Sequence, residues 1–206
     1  MRYDNDYFER YALLTLIKCF GYEFDDIINQ NFECPDWQSE RKNTGVEVTR
    51  AINDSDGEQI SIINKFFNRG MSGEEIKSEI VAKHPKYSGS FGTVNNVAYH
   101  SAPFLVNKER EKILNSIKTK TNKLNQHFRV FDNNWLYIFA NNALTEEDVF
   151  QIASSIELVE KNIQFDKIFI NLTDRIYVVN MNRMIEKVSV DRKTIAQLKK
   201  EAQQKP

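Results

Sequence analysis

One stretch narrows the choice of fold more than any other. Residues 134–140, "NWLYIFA", form a run of aromatic and branched apolar residues without the polar alternation of a strand that keeps one face wet. A run of this kind predicts a strand at the centre of a sheet, with both faces covered. Two more strands are predicted at 166–172, "DKIFINL", and immediately after it at 175–181, "RIYVVNM".

The segments between and before these strands have helical spacing. Phe8, Ala12, Leu13, Leu16 and Ile17 recur as one face of a helix over 5–19, and Gly21 follows as a stop. Two helices are predicted at 57–69 and 73–84, the second opened by Ser72 with Glu75 three residues on as a capping box. Residues 107–127 form a basic helix, and Thr145 opens another that reaches about 161, with Glu147 and Asp148 in its first turn. Residues 191–205 form a terminal helix that is expected to fray. A strand pair is predicted at 30–37 and 44–50, joined by the polar turn "QSERKN", while 85–104, rich in Pro and Gly, is predicted as a long loop. Strands separated by helices make an α/β domain with a mixed central sheet flanked by helices. The whole of 1–206 is expected to be one domain, with a helical and loop insertion at about 55–105.

Composition removes several classes. At 206 residues, 41% hydrophobic and 28% charged, the chain suits one globular domain with a substantial core. No apolar run approaches the roughly 18 residues of a membrane span. The acidic, amphipathic start does not have the form of a signal peptide, and two cysteines, Cys19 and Cys34, suit free thiols in a reducing cytoplasm. His84, His100 and His127 are scattered, which argues against a zinc site.

A net charge of −1 argues against indiscriminate nucleic-acid binding, yet the charge is uneven. Residues 1–60 carry 13 acids against 6 bases, and residues 107–129 carry 7 bases against 2 acids. This pairing suits a metal site beside a phosphate-binding face; it also suits an ordinary solvated helix.

The stretch "ECPDWQSERKNTGVEVTRA" (33–51) places Glu47 between Val46 and Val48, inside an apolar strand. A buried carboxylate is costly without compensation, so Glu47 either lies on a wet face or has a partner. If the two strands form a hairpin, Asp36 and Glu47 share a side. Two hard oxygen ligands with room for water and phosphate are what Mg²⁺ or Mn²⁺ takes, and Glu9, on the polar side of the first helix, is a third candidate ligand. On the basic helix, Ile113, Ile117, Lys120, Leu124 and Phe128 step by helical intervals, so Lys120 falls in the apolar stripe that faces the sheet. A lysine there needs a carboxylate or a watery pocket. The plain alternatives are a Pro-Asp turn, a solvent-facing Glu47, a snorkelling Lys120 and a surface Glu9 paired with Arg2 or Arg10.

"PDW", followed after ten residues by "GVEVT", resembles the motif of the PD-(D/E)XK nuclease superfamily, and the order of elements over about 5–172 is similar to that of its restriction-endonuclease-like core. The resemblance implies that Asp36 and Glu47 bind Mg²⁺ or Mn²⁺ and that Glu9 joins them. It implies hydrolysis of nucleic-acid phosphodiesters, with DNA the expected substrate and a homodimer one expected assembly. The motif's lysine is Thr49 here, and the superfamily relocates this lysine to helices. Lys120 resembles such a substitute, with Lys123 and Arg50 as further candidates, and Arg50, Lys118, Lys120 and Lys123 as contacts to the nucleic-acid backbone. The alternatives are a nuclease-like domain without catalysis, serving as a nucleic-acid-binding or protein-interaction module, and a scaffold that pairs its charged faces with a partner protein.

Overall fold

The computed structural model describes residues 5–22, 35–51, 72–83, 90–94, 97–101, 106–140, 144–156 and 163–204. In chain order they form α1 (Asn5–Phe20), β1 (Trp37–Ser39), β2 (Thr44–Arg50), α2 (Gly73–Lys83), β3 (Ser90–Val94), β4 (Val97–Ser101), α3 (Val106–Gln126), β5 (Asn133–Phe139), α4 (Glu146–Ser155), β6 (Lys167–Asn171), β7 (Arg175–Asn180), β8 (Ile185–Ser189) and α5 (Arg192–Ala202). The chain divides into two compact units, residues 1–51 with 109–206, and residues 52–108.

The larger unit is α/β. Its six strands run in the order β1-β2-β5-β6-β7-β8. β2, β5 and β6 are parallel, and β1, β7 and β8 add antiparallel pairs on either side. The apolar run at 134–140 is β5, which lies between β2 and β6 as its composition predicts. Leu136, Tyr137 and Ile138 are wholly buried.

Side-chain alternation splits the sheet into two faces. On one, Val46, Val48, Trp135, Tyr137, Phe169, Ile176 and Val178 pack against Tyr7, Tyr11, Ala12 and Leu16 of α1 and Leu198 and Ala202 of α5. The terminal helix therefore does not fray within its described residues. The spacing of Leu198 and Ala202 buries both, Asp191 caps the helix through the N–H groups of Lys193 and Thr194, and Lys18 of α1 pairs with Glu201. On the other face, Ile117 and Thr121 of α3 adjoin Ile168 and Val179.

Two local features set the register of β2. Asn43 ends the β1–β2 turn at φ 44°, a left-handed conformation that asparagine tolerates. Its carbonyl then accepts from Asn133 N at 3.0 Å, aligning β2 with the start of β5. Two residues on, a Cβ on Gly45 would lie 2.7 Å from both the Phe131 ring and Pro35, so a side chain is excluded there.

Several elements differ from the sequence reading. Gln38 and Ser39, read as turn, are buried strand, and Asp36 precedes β1 instead of ending a strand. The remainder of the predicted 30–37 strand, residues 30–34, lies outside the described residues, as do the 57–69 helix, residues 157–161 and Cys34. Strand β8 was not anticipated. It is an edge strand whose exposed Glu186 and Lys187 break the apolar alternation, and a turn with Arg183 at φ 62° connects it to β7. In the smaller unit, Ser72 N donates to Glu75 Oε2 at 2.7 Å, and Glu75 N donates back to Ser72 Oγ at 3.3 Å, as the capping box predicts. Part of the predicted 85–104 loop is the hairpin β3–β4, with Val94 opposite Val97. Its signal was a two-residue Asn-Asn connection between Thr-Val and Val-Ala-Tyr, hidden among Pro and Gly.

Candidate active site

Strand parity decides which way the central carboxylate points. Val46 and Val48 belong to the α1 face, so Glu47 points to the α3 face, where it is only 2% exposed. Lys120 on α3 meets it there, and its ammonium donates to Glu47 Oε1. The apolar stripe predicted for α3 positions that lysine: Ile113, Ile117, Leu124 and Phe128 are buried, while the Lys120 side chain keeps 18% exposure. The other carboxylate oxygen, Glu47 Oε2, is buried with no hydrogen-bond partner among the described residues.

Asp36 enters from the end of β1. β1 pairs with β2 only over Trp37–Ser39, so the next edge N–H of β2 lacks a backbone partner from β1. Asp36 Oδ2 accepts from Val48 N at 2.6 Å and takes that place. The Pro-Asp dipeptide therefore substitutes a side chain for the missing strand residue and brings a second carboxyl beside Glu47.

The two acids perturb each other. Burial, reinforced by the Asp36 charge, raises the Glu47 carboxyl from 4.5 to about 7, against the opposing pull of Lys120 and then Lys123. Burial also raises Asp36, countered by the Val48 N–H bond and by Lys120. Two acids whose pKa values are both raised, beside one ammonium, favour an added cation, since further positive charge lowers the cost of ionising both.

The remaining predicted residues fall into two groups. Lys118 and Lys123 are exposed on α3, and the Lys123 charge is felt at both carboxyls. Thr49 shares the parity of Glu47 and is half-buried. Arg50 has the parity of Val46 and Val48, and its guanidinium lies 4.8 Å from the ring centre of Phe8, on the α1 face. Glu9 is half-buried on α1, where its carbonyl accepts from Trp37 Nε1 at 2.9 Å. Neither Arg50 nor Glu9 is brought into the Glu47 cluster. Among the described residues, no three His, Cys, Asp or Glu side chains are grouped to hold a metal ion.

Sequence reasoning did not find the bond from Val48 N to Asp36, which explains why the aspartate belongs where it is. Its signal was the shortness of the Trp37–Ser39 segment before the charged turn, compared with the seven residues of β2 after it.

Comparison of the chain with protein-family models, with curated proteins and with solved structures finds no match.

Proposed function

We propose that the protein is a metal-dependent hydrolase of nucleic-acid phosphodiesters, with a restriction-endonuclease-like core. The observation that carries this reading is the convergence of Asp36 and Lys120, both part-buried, on the buried Glu47. The donor set suits a hard divalent cation. Mg²⁺ is commonly held by one or two carboxylates with water and substrate phosphate completing its shell, and Glu47 Oε2 is a buried acceptor without a donor.

Asp36 and Glu47 are the residues that would hold Mg²⁺ or Mn²⁺. A bound ion of this kind supplies Lewis-acid neutralisation of charge on a phosphoryl oxygen and lowers the pKa of its water. Asp36 is fixed by the Val48 N–H, so its carboxylate is positioned before any ligand arrives. Lys120 stands in for the motif lysine absent at Thr49 and orients the water or the scissile phosphate. Lys118 and Lys123, exposed on the same helix, meet the flanking backbone. DNA is the proposed substrate.

A second reading, a nuclease-like module that binds without cleaving, is favoured by Thr49 alone. The test is cleavage of labelled single- and double-stranded DNA and RNA with Mg²⁺ or Mn²⁺, with EDTA as control. Metal-dependent products from the wild type, lost in Asp36→Asn and Glu47→Gln, support hydrolysis. Binding without products supports the module.

A further inference from the structure

We infer that Lys120 is the internal counter-ion of this site: it occupies Glu47 as a substitute cation in the metal-free protein and must leave Glu47 for a divalent ion to be held. This rests on the metal-binding reading above and adds a regulatory role to a residue so far given only a positioning one.

The metal-free site carries a cost. Glu47 is 2% exposed, with the part-buried Asp36 beside it on Val48 N, and an uncompensated buried charge is strongly destabilising. In the metal-free chain the cation paired with Glu47 is Lys120, whose ammonium sits on Oε1. Among the described residues, Lys123 is the other cation whose charge is felt at both carboxyls; it is exposed and acts only through space. Lys120 is therefore bonded to one of the two carboxylate oxygens of Glu47, the residue proposed to hold the metal, while Oε2 has no hydrogen-bond partner among the described residues. A lysine standing beside a metal site would leave metal affinity unchanged when removed. A lysine seated on the ligand itself competes, and competition between two cations for one carboxylate is a coupling free energy of opposite sign for each.

The same competition gives the site an order of events. Once released from Glu47, the Lys120 ammonium is free to take a phosphate oxygen. Before that it is held in an ion pair and contributes little to phosphate capture. Coupling of this kind links readiness for substrate to metal occupancy through one side chain, without a moving lid.

The experiment is calorimetric titration of Mn²⁺ into the wild type and into Lys120→Met, Lys120→Arg and Lys123→Met. Lys120→Met is expected to tighten Mn²⁺ binding by roughly tenfold to a hundredfold, the usual range for a direct coupling. Lys120→Arg keeps a cation on Glu47 and is expected not to tighten it. Lys123→Met removes only an exposed charge and is expected to change affinity by about twofold or less.

A second measurement needs no variant. Amine labelling of the wild type, read residue by residue by mass spectrometry, should show Lys120 labelled slowly without metal and faster with Mg²⁺. Unchanged or weakened Mn²⁺ binding in Lys120→Met, or labelling of Lys120 indifferent to Mg²⁺, overturns the inference. If the wild type still binds Mn²⁺ and cleaves in that case, the active-site reading stands without it. Absence of Mn²⁺ binding in the wild type and in every variant overturns both.

Discussion

On one face of β2, Val46 and Val48 join a continuous aromatic and aliphatic layer under α1 and α5; on the other, one residue away in the chain, Glu47 meets an ammonium from α3. The first face resembles any well-filled core. Tyr137 stacks on Phe169 at 5.9 Å between ring centres, and Phe8 and Tyr11 of α1 meet Phe139 edge-on. The second face holds two acids whose protonation is shifted by burial, in a position where a leucine would stabilise the fold more cheaply. A strand that spends one face on packing and the other on buried charge marks where stability has been given up, and functional sites are where such concessions gather.

The contrast can be broken from the polar side first. Asp36→Asn keeps an oxygen for the Val48 N–H, so the fold should hold while metal-supported hydrolysis falls by about a thousandfold. That corresponds to the several kcal/mol of charge stabilisation a bound metal supplies. A fall in melting temperature that accounts for the lost rate would place Asp36 among structural residues.

From the apolar side, Leu16→Ala empties a wholly buried position beneath the sheet. It should cost about 3 kcal/mol and lower the melting temperature by roughly 6 to 12 °C, with Mn²⁺ affinity unchanged. Urea denaturation and calorimetry together check it; coupled losses of stability and metal affinity would show that the two faces are not independent.

The acids also predict a pH dependence of definite sign. Glu47 holds its proton to about 7 in the folded chain against 4.5 in the ordinary state. Its contribution to metal-free stability is therefore complete below about pH 4.5 and is lost as pH rises through 7. Relative to Glu47→Gln, the wild type should lose at most about 3 kcal/mol between pH 5 and pH 8. Urea midpoints of both proteins at the two pH values check it, and a relative gain at pH 8 would reverse the assignment. The smallest effect is expected from Lys118→Ala. It should leave cleavage chemistry intact and reduce the salt slope of nucleic-acid binding by about 1, read from affinities over a salt series.

How much of this was legible beforehand differs between the same two faces. The apolar face was written in local periodicity: the α1 helix, the run at β5 and the strands at β6 and β7 lie where their patterns predict, although α1 buries Tyr7 and Tyr11 with Ala12 and Leu16 and leaves Ile17, assigned to its apolar stripe, exposed. Lys120 was visible as a charge out of place in the α3 stripe, and Glu47 as an acid between valines. What local pattern could not supply was anything set by tertiary closure. The bond of Asp36 to Val48 depends on β1 ending after three residues, and the separation of Glu9 and Arg50 from Glu47 depends on which face α1 covers. β8 was missed because an edge strand with exposed charges needs no clean alternation, and the β3–β4 hairpin because its asparagines and glycines resemble loop as readily as turn.

The central claim is that Asp36 and Glu47 together bind one divalent cation. It is tested most directly by titrating Mn²⁺ into the wild type, Asp36→Asn and Glu47→Gln, and following free Mn²⁺ by electron paramagnetic resonance. The prediction is one ion bound per wild-type chain at millimolar Mn²⁺ or below, and none in either variant while both remain folded. Binding of equal strength in all three proteins would contradict it.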